Sequence, residues 1–192
     1  RQSTVYTVER VEWLRRQIAD VPVRVLGDHR GADIPLLFNW PGWWSKLEVC
    51  RPDIPGDVFF MDLDTVVLGL VEPFATVGRT TFLSDFYRPA QLQSSVMYLT
   101  AHDRARVWAA WIDDPAGHIA RYSVRRPGFN GDQNFFEDIL GQGVARWQDT
   151  PAATPVCSYK VHVLKGHRPT TGLVVFHGKP RPWDIRPESL PW

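Results

Sequence analysis

Cysteine is nearly absent from this chain of 192 residues: Cys50 and Cys157 are the only two. They form neither a Cys-x-x-Cys zinc pair nor the even framework of a small disulfide-stapled scaffold, so free thiols in a reducing compartment are the simplest account. No stretch approaches the roughly 20 apolar residues that cross a bilayer. The first residues, Arg1-Gln2-Ser3-Thr4, carry no apolar signal-peptide core. A soluble cytoplasmic protein without a membrane span is expected. An excess of either charge is missing too, because 22 basic and 21 acidic residues leave a formal net charge of +1. Such a balance supplies no global field to gather nucleic acid or anionic lipid, so any anion must be held locally. No Ser/Gly-rich linker, internal repeat or low-complexity block divides the chain, which reads as one domain over 1–192.

Tryptophan and proline are plentiful instead, with nine and 16 copies. Trp40, Trp43 and Trp44 cluster around Gly42, and such rings either fill a core or offer a flat face to a sugar or nucleobase. The most informative segment is Val58-Phe59-Phe60-Met61-Asp62-Leu63-Asp64, an apolar strand that runs into two carboxylates. Strand side chains alternate with a period of two, so Asp62 and Asp64 fall on one side if the backbone stays extended. Two acids so placed can grip a hard divalent cation that keeps positions open for water and phosphate. A solvated strand end is the bland alternative.

The pattern around that segment alternates helix and strand. Val8, Val11, Leu14 and Ile18 predict a helix from Val8 to Ala19, followed by a strand from Val21 to Leu26 and a loop over Gly27 to Gly31. A short helix around Ser45 to Arg51 precedes the strand Val58 to Met61. Strands follow at Thr81 to Leu83 and Ser95 to Leu99, then a helix from His102 to Ile112 capped by Thr100. A short helical segment lies between Asp113-Asp114 and Arg125-Arg126. Asp132 is placed as the cap of a helix carrying Phe135, Phe136, Ile139 and Leu140, and Gly172 to His177 form the last strand. The class is α/β, with a mostly parallel central sheet flanked by helices and ligands at the carboxyl ends of its strands.

His177 ends its strand and falls on the same strand-end face as the acidic pair, where a neutral imidazole is a third ligand or a satisfied terminal residue. A mixed nitrogen and oxygen set suits Mn²⁺ better than Mg²⁺. Beyond it, Lys179 and Arg181 put cations into the Pro-flanked turn Gly178-Lys179-Pro180-Arg181-Pro182-Trp183, where they either neutralise a departing diphosphate or are simply solvated.

Four motifs in order resemble the glycogenin-like, retaining GT-A glycosyltransferases, in the manner of a small bacterial or phage-type member. They are Ser45-Lys46-Leu47-Glu48 with its distance to Asp62-Leu63-Asp64-Thr65-Val66-Val67-Leu68, Gln93-Ser94-Ser95-Val96-Met97, Gly131-Asp132-Gln133, and His177-Gly178-Lys179-Pro180-Arg181-Pro182-Trp183. The resemblance implies a single GT-A-type domain, with residues 1–100 as the nucleotide-sugar and metal-binding half and 101–192 as the acceptor half. It implies Mn²⁺ (or Mg²⁺) on Asp62, Asp64 and His177. Tyr6, Lys46, Asp62, Gly178, Lys179 and Arg181 would contact a nucleotide-sugar donor, with UDP as the expected nucleotide. Asp132, Gln133 and Asp85 would face the transferred sugar, and the acceptor is an unspecified carbohydrate, protein or small-molecule hydroxyl. Asp132 is the carboxylate that would stabilise the anomeric carbon or attack it.

The departures are specific. Gln93-Ser94-Ser95 stands where the family has Asn-Ser-Gly, the closing motif has altered spacing, and only Arg1 to Tyr6 precede the first helix, where the family has a strand and a nucleotide-contacting loop. Two other readings stand beside this one. Asp62-Leu63-Asp64-Thr65-Val66 also resembles the first motif of haloacid-dehalogenase-type phosphohydrolases, with Asp113-Asp114 as a later acidic pair. A non-catalytic sugar-binding domain on the same scaffold is the third.

Overall fold

The computed structural model describes residues 7–124, 131–141, 143–150 and 155–185. In chain order its helices and strands are α1 (Val8–Arg15), β1 (Leu26–Gly27), β2 (Ile34–Pro35), β3 (Val58–Met61), β4 (Thr65–Val67), α2 (Glu72–Ala75), β5 (Thr81–Ser84), β6 (Leu92–Leu99), α3 (Ala101–Asp113), α4 (Pro115–Tyr122), α5 (Asp132–Leu140), β7 (Ala145–Arg146), β8 (Val156–Ser158) and β9 (Leu173–Val175). A 3-10 helix over Gly42–Cys50 lies between β2 and β3.

The strands form a four-stranded sheet ordered β3-β6-β5-β7, a three-stranded sheet ordered β4-β9-β8, and the small pair β1-β2. β6 is antiparallel to both β3 and β5, and β4 is antiparallel to β9. Parallel pairing is confined to β1 with β2, β5 with β7, and β8 with β9. The α/β class therefore holds, but the expected mostly parallel sheet is corrected to a mixed one. The reason is local: the connection over 85–91 is too short for a helical crossover, so β5 and β6 pair as a hairpin does.

β6 is the central wall. All of its residues are buried, and successive side chains point to opposite faces. Met97 and Leu99 join a core with Trp44, Leu47, Phe82, Val107, Trp111, Phe135 and Phe136. Val96 and Tyr98 join a second core with Leu14, Val67, Phe74, Leu83, Trp147 and Val175. Among the tryptophans, Trp44, Trp111 and Trp147 are core residues.

Helix signals in the sequence are realised where caps exist. Thr100 Oγ1 accepts the Asp103 N–H at 3.2 Å and starts α3, and Asp114 accepts the Gly117 N–H at 2.9 Å and starts α4. α1 stops at Arg15, short of the expected Ala19, because Gln17 and Ile18 turn back to Leu14 and Arg15. The strand expected from Val21 shrinks to Leu26–Gly27, where β2 provides its pairing. Among the described residues no helix is long and apolar enough to cross a membrane.

Arg104 in α3 locks the segment leading into β3. It is 3% exposed, and its Nε donates to the Val49 carbonyl at 2.9 Å. Its Nη2 donates to the Arg51 and Ile54 carbonyls, each at 2.9 Å, and its Nη1 to the Gly56 carbonyl. Arg104→Met keeps the stem but strands these buried acceptors, so we expect a loss of about 3 kcal/mol or more. The check is a urea titration: a midpoint within error of the parent would show that the carbonyls find other partners.

Candidate functional site

The acidic segment sits on the seam between the two larger sheets. β3 belongs to one and β4 to the other, and residues 62–64 make the crossing. The Asp62 N–H bonds the Ser95 carbonyl at 2.7 Å, and the Phe176 N–H bonds the Asp64 carbonyl at 3.1 Å. The backbone turns at Leu63 and Asp64 and does not stay extended, so the period-of-two argument does not describe this geometry.

Lys46 reaches this seam from the 3-10 helix. Its neighbours Trp44, Leu47 and Glu48 are buried, which leaves Lys46 to face the strand ends. Its Nζ lies 3.0 Å from Asp62 and 3.6 Å from Asp132, and it donates to Ser94 Oγ at 3.2 Å and to the Ser94 carbonyl at 3.3 Å. The Ser94 hydroxyl in turn donates to Asp132 Oδ2 at 2.6 Å. One ammonium thus joins two carboxylates and a serine from β6. Asp132 is the first residue of α5, after the N-cap Gly131 with φ of 62°, and its carboxylate meets Ser94 and Lys46. The expected helix-cap role is corrected: the side chain is turned toward Lys46 and Ser94.

Burial alone would lower the Lys46 pKa, but the charges of Asp62 and Asp132 outweigh it and hold the ammonium above its ordinary value. Burial raises the Asp62 carboxyl, against the pull of Lys46. Asp64 is pushed up to about 7 by burial and then by the nearby Asp62 charge, with Arg181 opposing. The Arg181 guanidinium bonds Asp64 directly. Its own turn is fixed by Asp184, which accepts the Arg181 N–H at 3.0 Å, and by Trp183, whose ring lies 4.4 Å from the Arg10 guanidinium of α1.

The remaining sequence candidates are placed as follows. The bond from the Phe176 N–H to the Asp64 carbonyl extends the β4–β9 pairing by one step, and His177 follows it in the chain. Its ring turns elsewhere, with Nε2 2.6 Å from Ser158 Oγ and a stacked contact to Phe86 at 5.6 Å. Burial and Lys160 lower its pKa, with Asp85 opposing. Asp85 accepts the N–H groups of Tyr87 and Arg88, both at 2.8 Å, which commits it to a local turn. Gln133 lies in the first turn of α5, and its Oε1 is buried without a hydrogen-bond partner. Gly178, with φ of 78°, and Lys179 are exposed. Tyr6 and the strand expected before α1 lie outside the described residues. Asp114 of the later acidic pair caps α4 and takes no part in the Lys46 cluster. Sequence reasoning missed Ser94 and Ser158 as partners of Asp132 and His177, since a lone serine in a strand carries no signal of its own.

Asp64 is buried and the Asp62 side chain is 31% exposed, and both carry the oxygen donors that a hard divalent cation completed by water and phosphate takes. His177 is not gathered with them: among the described residues no three His, Cys, Asp or Glu side chains form a group able to hold a metal. Its Nε2 is engaged with Ser158 Oγ of β8.

No family model matches the sequence, and no curated protein matches it. The architecture does match: over 92% of this chain, with a TM-score of 0.60 and 11% identity, it superposes on the apo form of the glycosyltransferase GlyE of Streptococcus pneumoniae TIGR4. The chain shares the fold of that structure. It spans about half of that protein's length, 52%, and at this identity the likeness is one of fold and does not reach the glycogenin-like family.

Lys46→Met removes the cation shared by Asp62 and Asp132, and a loss of about 3–5 kcal/mol is expected from the uncompensated buried charge. Adding Asp132→Asn to Lys46→Met should recover part of that loss. A double-mutant cycle by chemical denaturation checks it, and strict additivity would show that the ammonium does not couple the two sites.

Proposed function

We propose that this protein is a metal-dependent glycosyltransferase that moves a sugar from a nucleotide-diphosphate sugar, with UDP as the expected nucleotide, to an acceptor hydroxyl with retention. The observation that carries the reading is the coupled pair Asp62 and Asp64 at the seam of a glycosyltransferase fold, with Lys46, Asp132 and Arg181 gathered on them.

Asp62 and Asp64 are the residues that would hold Mn²⁺ or Mg²⁺, with His177 as the additional ligand proposed through Nδ1. A bound cation supplies charge neutralisation to a leaving diphosphate. Lys46 and Arg181 bring fixed positive charge to the same place, and Lys179 in the adjoining turn is exposed to solvent and available to phosphate. Asp132 is held by Ser94 through Oδ2. Its Oδ1 has no donor among the described residues, so it is the oxygen able to stabilise positive charge at an anomeric carbon. Gln133 follows Asp132 in the first turn of α5 and is the amide proposed to face the transferred sugar.

The test is a panel of nucleotide sugars with Mn²⁺, scored for donor hydrolysis or transfer. The parent is expected to turn over at least one donor, with Asp62→Asn and Asp64→Asn slower by about a hundredfold or more. Activity of Asp62→Asn equal to the parent, or no turnover of any donor, overturns the assignment. Cleavage of a phosphatase dye substrate would favour the hydrolase instead.

A further inference from the structure

The 3-10 helix Gly42–Cys50 has three residues per turn, which stacks Trp43 and Lys46 on one side. Lys46 is sealed into the carboxylate network with a side chain 10% exposed, whereas Trp43 is 58% exposed. Its tryptophan neighbours are committed to packing. Trp40 stacks on Phe38 at 4.5 Å and meets Trp111 edge-on, and Trp44 stacks on Trp111 at 5.2 Å. Trp43 has no ring partner among the described residues.

It meets the chain at Gly131. The backbone of Gly131 lies against the indole edge, so that a Cβ at 131 would stand 3.0 Å from Cε2 and closer still to Nε1. With φ of 62° as well, position 131 admits glycine alone at low cost. The next residue is Asp132. A large exposed ring therefore touches the residue just before Asp132 and lies one 3-10 turn from Lys46.

Two acceptor-bearing side chains follow Gly131 directly in the chain, the Asp132 carboxylate and the Gln133 amide. A pyranose is the ligand with matching chemistry, since it offers an apolar C–H face to a ring and a rim of hydroxyl donors to carboxylates and amides. We propose that Trp43 is a stacking platform for a pyranose ring and sets sugar specificity at this site. The inference rests on the glycosyl-transfer reading above. Two sources share the chemistry: the sugar carried by a nucleotide donor and the sugar of an acceptor saccharide.

The experiment compares the parent with Trp43→Ala and Trp43→Phe. UDP-glucose and UDP-galactose serve as donors with Mn²⁺, lactose and maltose as acceptors, and UDP alone is titrated by calorimetry. UDP affinity should not change. Trp43→Ala should raise KM about three- to tenfold for the donor, read by its hydrolysis, or for the acceptor, read by transfer, and the affected arm names the source. Trp43→Phe should restore most of the loss. Unchanged KM in both arms overturns the proposal, as does weakened binding of UDP itself, which would make Trp43 a base-stacking residue. If the parent turns over no donor, the glycosyl-transfer reading fails separately, and saturation-transfer NMR with lactose, maltose and the UDP-sugars decides the platform. Signals lost in Trp43→Ala sustain it, while signals equal in both proteins, or absent from both, refute it.

Discussion

One buried ammonium organises the polar centre of this fold. Lys46 stands between Asp62 and Asp132, two carboxylates separated by much of the sequence, and without a shared cation they would repel one another in a poorly hydrated place. The cation brings the 3-10 helix, the end of β3, the middle of β6 and the start of α5 to one point. Ser94 completes the arrangement by taking a hydrogen bond from Lys46 and giving one to Asp132. The buried charges are thereby compensated and hydrogen-bonded, the condition under which ion pairs persist out of water.

The second organising element is the seam. Asp62 and Asp64 lie where the chain leaves one sheet and enters the next, so neither carboxylate is covered by a continuing strand. Arg181 closes on Asp64 from a turn that Trp183 and Arg10 tether to α1. The turn that carries Arg181 is therefore tied to α1 beside the same acids that the strands present. Charge of both signs is concentrated there, although the chain as a whole is nearly neutral.

Much of this was legible in the sequence, for identifiable reasons. β3, α3 and α5 follow clean apolar patterns, whereas Lys46 is expected only as a donor contact through the family resemblance and its pairing with Asp62 comes from the structure. The sheet was misread because helix and strand alternation suggests crossovers, while strand direction depends on connection length and on a change of sheet between Met61 and Thr65. Asp132 was read as a cap because acidic residues favour helix starts. The glycine before it takes the cap position and frees the carboxylate for Lys46. The direction of the His177 ring was not legible either, since Phe86 and Ser158, distant in sequence, decide its rotamer.

β6 has a wider consequence. Its alternating side chains feed two cores that are separate clusters, Met97 and Leu99 on one face and Val96 and Tyr98 on the other. A substitution beside Phe136 and one beside Trp147 therefore act on opposite faces of one strand, and their costs are expected to add more nearly than those of two substitutions within a single cluster.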